Sequence, residues 1–371
     1  LDASTGNIIA SKLYDSRGRE SFNRIIRHPN PANSAFPYYV LGSVNVNNNP
    51  SFPPPSSVDN VVLVNLNVNL VNNYFSLYSG LNTNISEIDL EFSRGIIPLN
   101  SSNILLVGNR TNAFGWGALV KINGLTGAIL YATSYQNSMD ILDGIELSTG
   151  DILVTGEYFP MAGSSSAFVG VLMNSDYSFK NHRFYSFGTL RKFKNIYTDG
   201  TDFFVCGQIH STTPSFNVAL KLTLSTGPGP WFLSYPDGRY FYLPGESSID
   251  EACTFYSAIN KKFYLAESKL GNSSLGGKDI FIEKTNMDFI NSCSENINII
   301  NLPVGTDGSQ FDMRMIHVNP TAQLIGLSPL NYRIQDHCIS CNMKVDISSA
   351  LVSCYQVQLN STVISGTAPF V

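Results

Sequence analysis

Charge is scarce in this sequence. Lysine, arginine, aspartate and glutamate together make up 14% of the 371 residues, against roughly 25% in ordinary soluble domains, and the net charge is −5. A chain so poor in cations, with those it has dispersed, does not carry the basic footprint of a nucleic-acid-binding protein. The short run Arg191-Lys192-Phe193-Lys194 is the one basic cluster, and it reads as a solvated loop. Long apolar runs are missing too. No stretch of 18 consecutive apolar residues supports a transmembrane helix, and no window sustains the 3.6-residue apolar period of a long amphipathic helix. Tryptophan occurs only twice, and cysteine is absent from the first half of the chain.

What is present is repetition. An apolar strand signal ending in or near Gly or Ser recurs six times: YVLGSV (39–44), ILLVGN (104–109), ILVTGE (152–157), FFVCGQ (203–208), FYLAES (263–268) and LIGLSP (324–329). Each copy is followed by a polar loop and a second strand-like stretch, as in NVVLVN (60–65), GALVKI (117–122) and AFVGVL (167–172). A tight polar turn and a third strand come next. Another stretch precedes each copy: FNRIIR (22–27), IDLEFS (88–93), ILDGIEL (141–147), NIYTD (195–199), ACTFY (252–256) and FDMRMIHV (311–318). Four short strands repeated every 50 to 63 residues predict an all-β, six-bladed β-propeller of four-stranded antiparallel blades. The blades are expected over approximately 14–80, 81–135, 136–187, 188–243, 244–297 and 298–356, as one toroid across 1–356. Residues 1–13 supply a surplus outer strand, and 357–371 a C-terminal tail or edge strand.

The turn before the last strand of a repeat resembles that of quinoprotein-type (PQQ-like) propeller repeats. It is seen in LDASTGNI (1–8), KINGLTGAI (121–129) and KLTLSTGPG (221–229), with Asp2, Thr5 and Gly6, then Asn123, Thr126 and Gly127, then Thr226 and Gly227 in matching places. Asp or Asn caps such a turn while Gly takes its positive φ. The resemblance implies the repeat type. It implies no cofactor, because the Trp that follows the turn in that family is matched at most by Trp231.

Six cysteines stand at 206, 253, 293, 338, 341 and 354. Cys338-x-x-Cys341 has no second ligand pair for zinc and no βαβ context for redox chemistry, so no metal site is expected. A hairpin through 346–349 places Cys341 opposite Cys354, and a disulfide is expected there. Five N-x-S/T sequons, at Asn84, Asn100, Asn109, Asn272 and Asn360, fall in predicted loops or the tail and are candidate glycosylation sites. The chain begins inside a repeat, which suggests that a signal peptide or a longer precursor segment has been removed. Together these features point to an extracellular protein, secreted or on the cell surface.

A polar residue recurs near the head of each first strand: Asn23, Asp89, Asp140, Asn195, Asp250 and Asp312. First strands line a propeller's channel, so these form a possible ring at its mouth, for a cation or small polar ligand or simply as turn caps facing water. Long segments lie between second and third strands and between repeats, and both classes emerge on one face, the expected recognition surface. No G-x-S-x-G elbow, H-E-x-x-H pair, phosphate-cradling glycine loop, EF-hand series or sialidase-type S-x-D-x-G-x-T-W box is present. The expectation is therefore a non-catalytic structural or interaction protein. It would self-associate through its surplus terminal strand into a glycosylated extracellular fibre. A lectin or adhesin binding carbohydrate through the long-loop face is the alternative, and an enzyme with an unrecognised active site the third.

Overall fold

The computed structural model describes residues 19–45, 59–78, 92–110, 116–158, 166–185, 190–209, 216–224, 233–241, 249–257, 261–270, 278–285 and 315–317. They form antiparallel strands almost throughout. One blade is β1 (Arg19–Arg27), β2 (Tyr38–Asn45), β3 (Asp59–Leu66) and β4 (Asn72–Tyr78), paired in that order. The next is β5 (Phe92–Pro98), β6 (Ile104–Arg110), β7 (Trp116–Ile122) and the first part of β8 (Ile129–Glu146). The chain then runs on without a break, so the second part of β8 is the inner strand of the third blade, followed by β9 (Ile152–Tyr158), β10 (Ser166–Leu172) and β11 (Phe179–Tyr185). A fourth blade holds β12 (Leu190–Thr198), β13 (Phe203–Ile209), β14 (Phe216–Leu224) and β15 (Leu233–Phe241), and a fifth holds β16 (Ile249–Ser257), β17 (Lys262–Leu270) and β18 (Lys278–Thr285). This all-β arrangement of meander blades is that of a β-propeller. Among the described residues, no helix is long and apolar enough to cross a membrane.

Sheet faces meet between blades, where the apolar side chains of alternating strands are buried. Tyr39, Leu41, Val61, Leu63 and Tyr78 of the first blade pack with Ile96, Ile104, Leu106 and Val120 of the second. Leu105, Val107 and Leu119, from the other face of the second blade, pack with Ile141, Val154 and Phe168 of the third. Central strands buried on both faces read as unbroken apolar runs, and β9 is buried along its whole length.

The expected turn is seen at Asn123–Ala128. Asn123 Oδ1 accepts from the backbone N–H groups of Leu125 at 2.9 Å and Thr126 at 3.2 Å, and Gly127 sits at φ +74°. The turn has a second use. Tyr39 and Tyr74 of the first blade donate to Gly124 O at 2.8 and 3.1 Å, and Tyr78 to Gly127 O at 2.7 Å. One blade on, Tyr131 and Tyr135 donate to the carbonyls of Asp176 and Tyr177 at 3.0 and 2.7 Å. Tyrosine hydroxyls thus fasten the first blade to the second one's turn, and the second to the third one's.

Two sequence expectations are corrected here. The inner strand of the second blade is Phe92–Pro98 rather than 88–93. Of the segment 311–318, expected to open a sixth blade as an inner strand, the described strand β19 (Met315–His317) pairs with Thr133–Tyr135, on the outer edge of the second blade. A strand edge left by β8 is covered there by the chain itself.

Candidate functional site at the channel mouth

The recurrent glycine of the strand signal has a geometric cause. In the first four blades the inner strand bulges at Asn23, Arg94, Leu142 and Lys194, one residue past the position facing Gly42, Gly108, Gly156 or Gly207. A bulge bends the strand and brings its backbone onto its neighbour. A Cβ at Gly156 would strike the carbonyl oxygen of Asp140, and one at Gly207 that of Lys192. Only glycine fits there.

Each bulge also sets which inner-strand residues share a level. The residue after the glycine is Ser43, Asn109, Glu157 or Gln208, with Ser268 at the same place in the fifth blade. Their register partners are Ser21, Phe92, Asp140, Lys192 and Glu251. These pairs lie where inner strands begin and second strands end, on the long-loop face. Of the expected ring, only Asp140 stands at this level. Asn23 and Asp250 are bulge residues, Asn195 lies beyond its bulge, and Asp89 and Asp312 fall outside the described residues. The added bulge residue breaks the equivalence that spacing implied.

Asp140 and Glu157 are therefore opposed on adjacent strands, 5% and 8% exposed. From the next blade, β12 also pairs with β9 at one point, Lys192 against Glu157. The run 191–194, expected as a solvated loop, is instead part of the inner strand β12. Glu157 and Lys192 were not singled out in the sequence, although the polar residue after each strand-signal glycine pointed to Glu157.

Deeper in the channel, Arg24 of β1 reaches Asp143 of β8, Nη2 to Oδ2 at 2.6 Å. The same Oδ2 accepts from Ile196 N of β12 at 3.1 Å, and Oδ1 from Gly144 N at 2.9 Å. Gly95, after the bulge of the intervening β5, has no room for a side chain against Leu142 O and Asp143 Cα. Burial alone would lower the Arg24 pKa, but the Asp143 carboxylate outweighs it and raises it. Asp143 Oδ2 thus links three blades, while Oδ1 is taken up by the next residue of its own strand. Asp140 and Glu157 stand nearer the start of the inner strand, and each has polar or charge interactions of its own. Among the described residues, no group of three or more His, Cys, Asp or Glu is placed to hold a metal ion.

Asn100 lies exposed in the turn between β5 and β6, whereas Asn109, expected in a loop, lies within β6 opposite Phe92 and Gly117. Asn84, Asn272, Asn360, Cys341 and Cys354 are outside the described residues. Cys206 is buried, packed with Phe204 and Phe263.

No family model matches the chain, and no curated protein matches its sequence. Among solved structures it is similar to the polysaccharide lyase Uly1, with TM-score 0.40 and 9% identity over 72% of this chain and 58% of that one. It is also similar to the Trypanosoma rangeli sialidase in complex with sialic acid, with TM-score 0.37 and 8% identity over 71% and 54%. A third is CoXyl43, a GH43 β-xylosidase/α-arabinofuranosidase from a compost microbial metagenome, with TM-score 0.34 and 11% identity over 77% and 94%. The chain thus spans little more than half the length of the first two. These likenesses concern fold. All three of these structures are carbohydrate-processing enzymes, which runs against the expectation of a non-catalytic fibre subunit. The surplus terminal segments behind that expectation, 1–13 and 357–371, lie outside the described residues.

Proposed function

We propose that this chain is a carbohydrate-processing enzyme whose site lies at the channel mouth on the long-loop face, with Asp140 and Glu157 as its acid–base pair. The observation that carries the reading is the direct register of these two buried carboxylates on neighbouring strands. Opposed residues of an antiparallel pair have Cβ atoms about 5 Å apart and project on the same face. Two carboxyl groups so placed divide the work on a glycosidic bond: one gives a proton to the leaving oxygen, and the other attacks the anomeric carbon or activates water. Their burial lowers the local dielectric and strengthens both effects.

The ring around this site is proposed to close with six blades. Val62, Val64, Leu66 and Phe75 form a buried cluster on the face of the first blade turned away from the second, the face a closing blade would cover. The sequons and the cysteines support an extracellular protein carrying N-linked glycans, with a Cys341–Cys354 disulfide.

The test is incubation of the full chain with a panel of polysaccharides, read by release of sugar ends and by product mass. Asp140→Asn and Glu157→Gln are each expected to lower turnover by about a hundredfold or more while circular dichroism is unchanged. A parent protein that cleaves none of them, or folded variants as active as the parent, refutes the reading.

A further inference from the structure

The connections opposite the channel mouth are short, and those of the first two blades meet. Leu99 N–H donates to Asn103 O at 3.0 Å and closes the β5–β6 turn, within which the Ser101 hydroxyl accepts from Asn103 N at 3.3 Å. Neighbouring elements anchor this turn. The N–H of Asn100 donates to the Glu146 carboxylate, and its carbonyl accepts from Asn30 Nδ2 at 2.5 Å. Ser102 O accepts from Asn33 Nδ2 at 3.2 Å, and a Cβ at Gly124 of the β7–β8 turn would strike that same oxygen. The main chain is thus pinned on several sides while Asn100 itself stays exposed. Asn100-Ser101-Ser102 is a sequon, and the fold presents its acceptor on a fixed surface turn.

The surface beside this turn is apolar. Among the described residues six large hydrophobic side chains are exposed, and three of them stand on the β3–β4 and β7–β8 turns: Val68 at 69%, Val71 at 45% and Leu125 at 44%. Asn73 Nδ2 joins the two turns by donating to Leu125 O at 2.9 Å, and Leu125 follows the Gly124 that abuts Ser102. Exposed apolar residues scattered singly need no explanation, but a group on adjoining turns invites association. A chain with only 14% charged residues has few charges to oppose it. A glycan on the adjoining turn does so, because the C–H faces of sugars lie on apolar side chains while their hydroxyls meet water.

We infer that Asn100 carries an N-linked glycan whose first sugars lie over Val68, Val71 and Leu125. This rests on the extracellular reading above and adds which acceptor is used and what the glycan covers. In the transfer, Asn100 Nδ2 bonds to the anomeric carbon of a lipid diphosphate-linked oligosaccharide. The bond from that carbon to the phosphate oxygen breaks, the lipid diphosphate leaves with the electron pair, and the amide gives one proton to a base of the host transferase. Asn109 stays bare, because its backbone lies inside β6, paired with Phe92 on one side and Gly117 on the other, and not in a surface loop.

The full chain is secreted from cultured eukaryotic cells and digested with trypsin. Arg94 and Arg110 enclose both sequon asparagines in one peptide, 95–110, so its fragmentation assigns the sugar to one or the other. One glycan on Asn100 and none on Asn109 is expected. Ser102→Ala is expected to lose that mass and Ser102→Thr to keep it. Enzymatic removal of the glycan from the folded parent is expected to raise binding of a hydrophobic dye about threefold, and Val68→Ser/Leu125→Ser to cancel the rise with thermal unfolding unchanged. A secreted chain bare at Asn100, a glycan on Asn109, or a deglycosylated parent that binds no more dye would each overturn the inference and leave the extracellular reading standing. A chain confined to the cytosol of its own cells would overturn both.

Discussion

His28 is 3% exposed and is held in one tautomer by two hydrogen bonds. Its Nδ1 accepts from Asn30 N at 3.1 Å, so the proton sits on Nε2, which donates to Asn103 O at 3.0 Å across to the second blade. Burial lowers its pKa from the ordinary 6.5, and the bond to Asn103 only partly opposes this. Protonation would set a second N–H against that of Asn30. Because the unfolded chain binds this proton more readily than the native one, the contribution of His28 is complete above pH 6.5 and declines as pH falls below it. Denaturant unfolding at pH 7.5 and pH 5 is expected to show a loss on acidification that is smaller in His28→Gln. Equal losses would show that His28 does not titrate in this way.

At the scale of the strand, the bulge and its glycine form one device. Gly156→Ala sets a Cβ against the Asp140 carbonyl and the Phe168 ring, and backbone cannot move aside as a side-chain tip can. A loss of about 2–3 kcal/mol is expected, together with loss of activity because Asp140 is displaced. Gly200→Ala is the comparison. A Cβ there meets nothing within 4 Å, and only the strain of φ +97° is felt, about 1 kcal/mol. Thermal unfolding of both variants checks the order. An equal cost would mean that close approach is not what requires glycine at the bulge. The tyrosine clasps act at this scale too, giving the turn carbonyls of a neighbouring blade a hydroxyl donor.

Across the whole molecule, the Arg24–Asp143–Ile196 contact ties together inner strands of three blades that are far apart in sequence. Arg24→Met leaves a carboxylate 3% exposed with only backbone donors, and a loss of about 3 kcal/mol is expected. Arg24→Met/Asp143→Leu removes both charges, so its loss is expected to fall short of the sum of the two single losses by about 1 kcal/mol or more. Strict additivity in that double-mutant cycle would show the pair to be uncoupled. The same contact sits beneath Asp140, and its loss is expected to reach the site as well as the fold.

Local chemistry determined much of this without reference to the rest of the chain. Unbroken apolar runs such as ILVTGE and AFVGVL specify strands buried on both faces, because successive side chains reach opposite faces of the sheet. Asn123 and Gly127 specify the turn between β7 and β8, because one caps and the other accepts positive φ. The repeat of these signals fixes the blade as the unit. What the chain's own spacing could not carry was the level of each residue in the channel. A single extra residue in an inner strand shifts every following side chain by one place, so Asn23 and Asn195 left the expected ring while Glu157 and Lys192 joined Asp140. Nor could local pattern show that Arg191–Lys194 belongs to an inner strand, since a charged run looks the same on a loop as on a strand whose partners lie elsewhere. Register and the convergence of strands about an axis are set by backbone pairing and packing between blades, and those contacts exist only once the chain has folded.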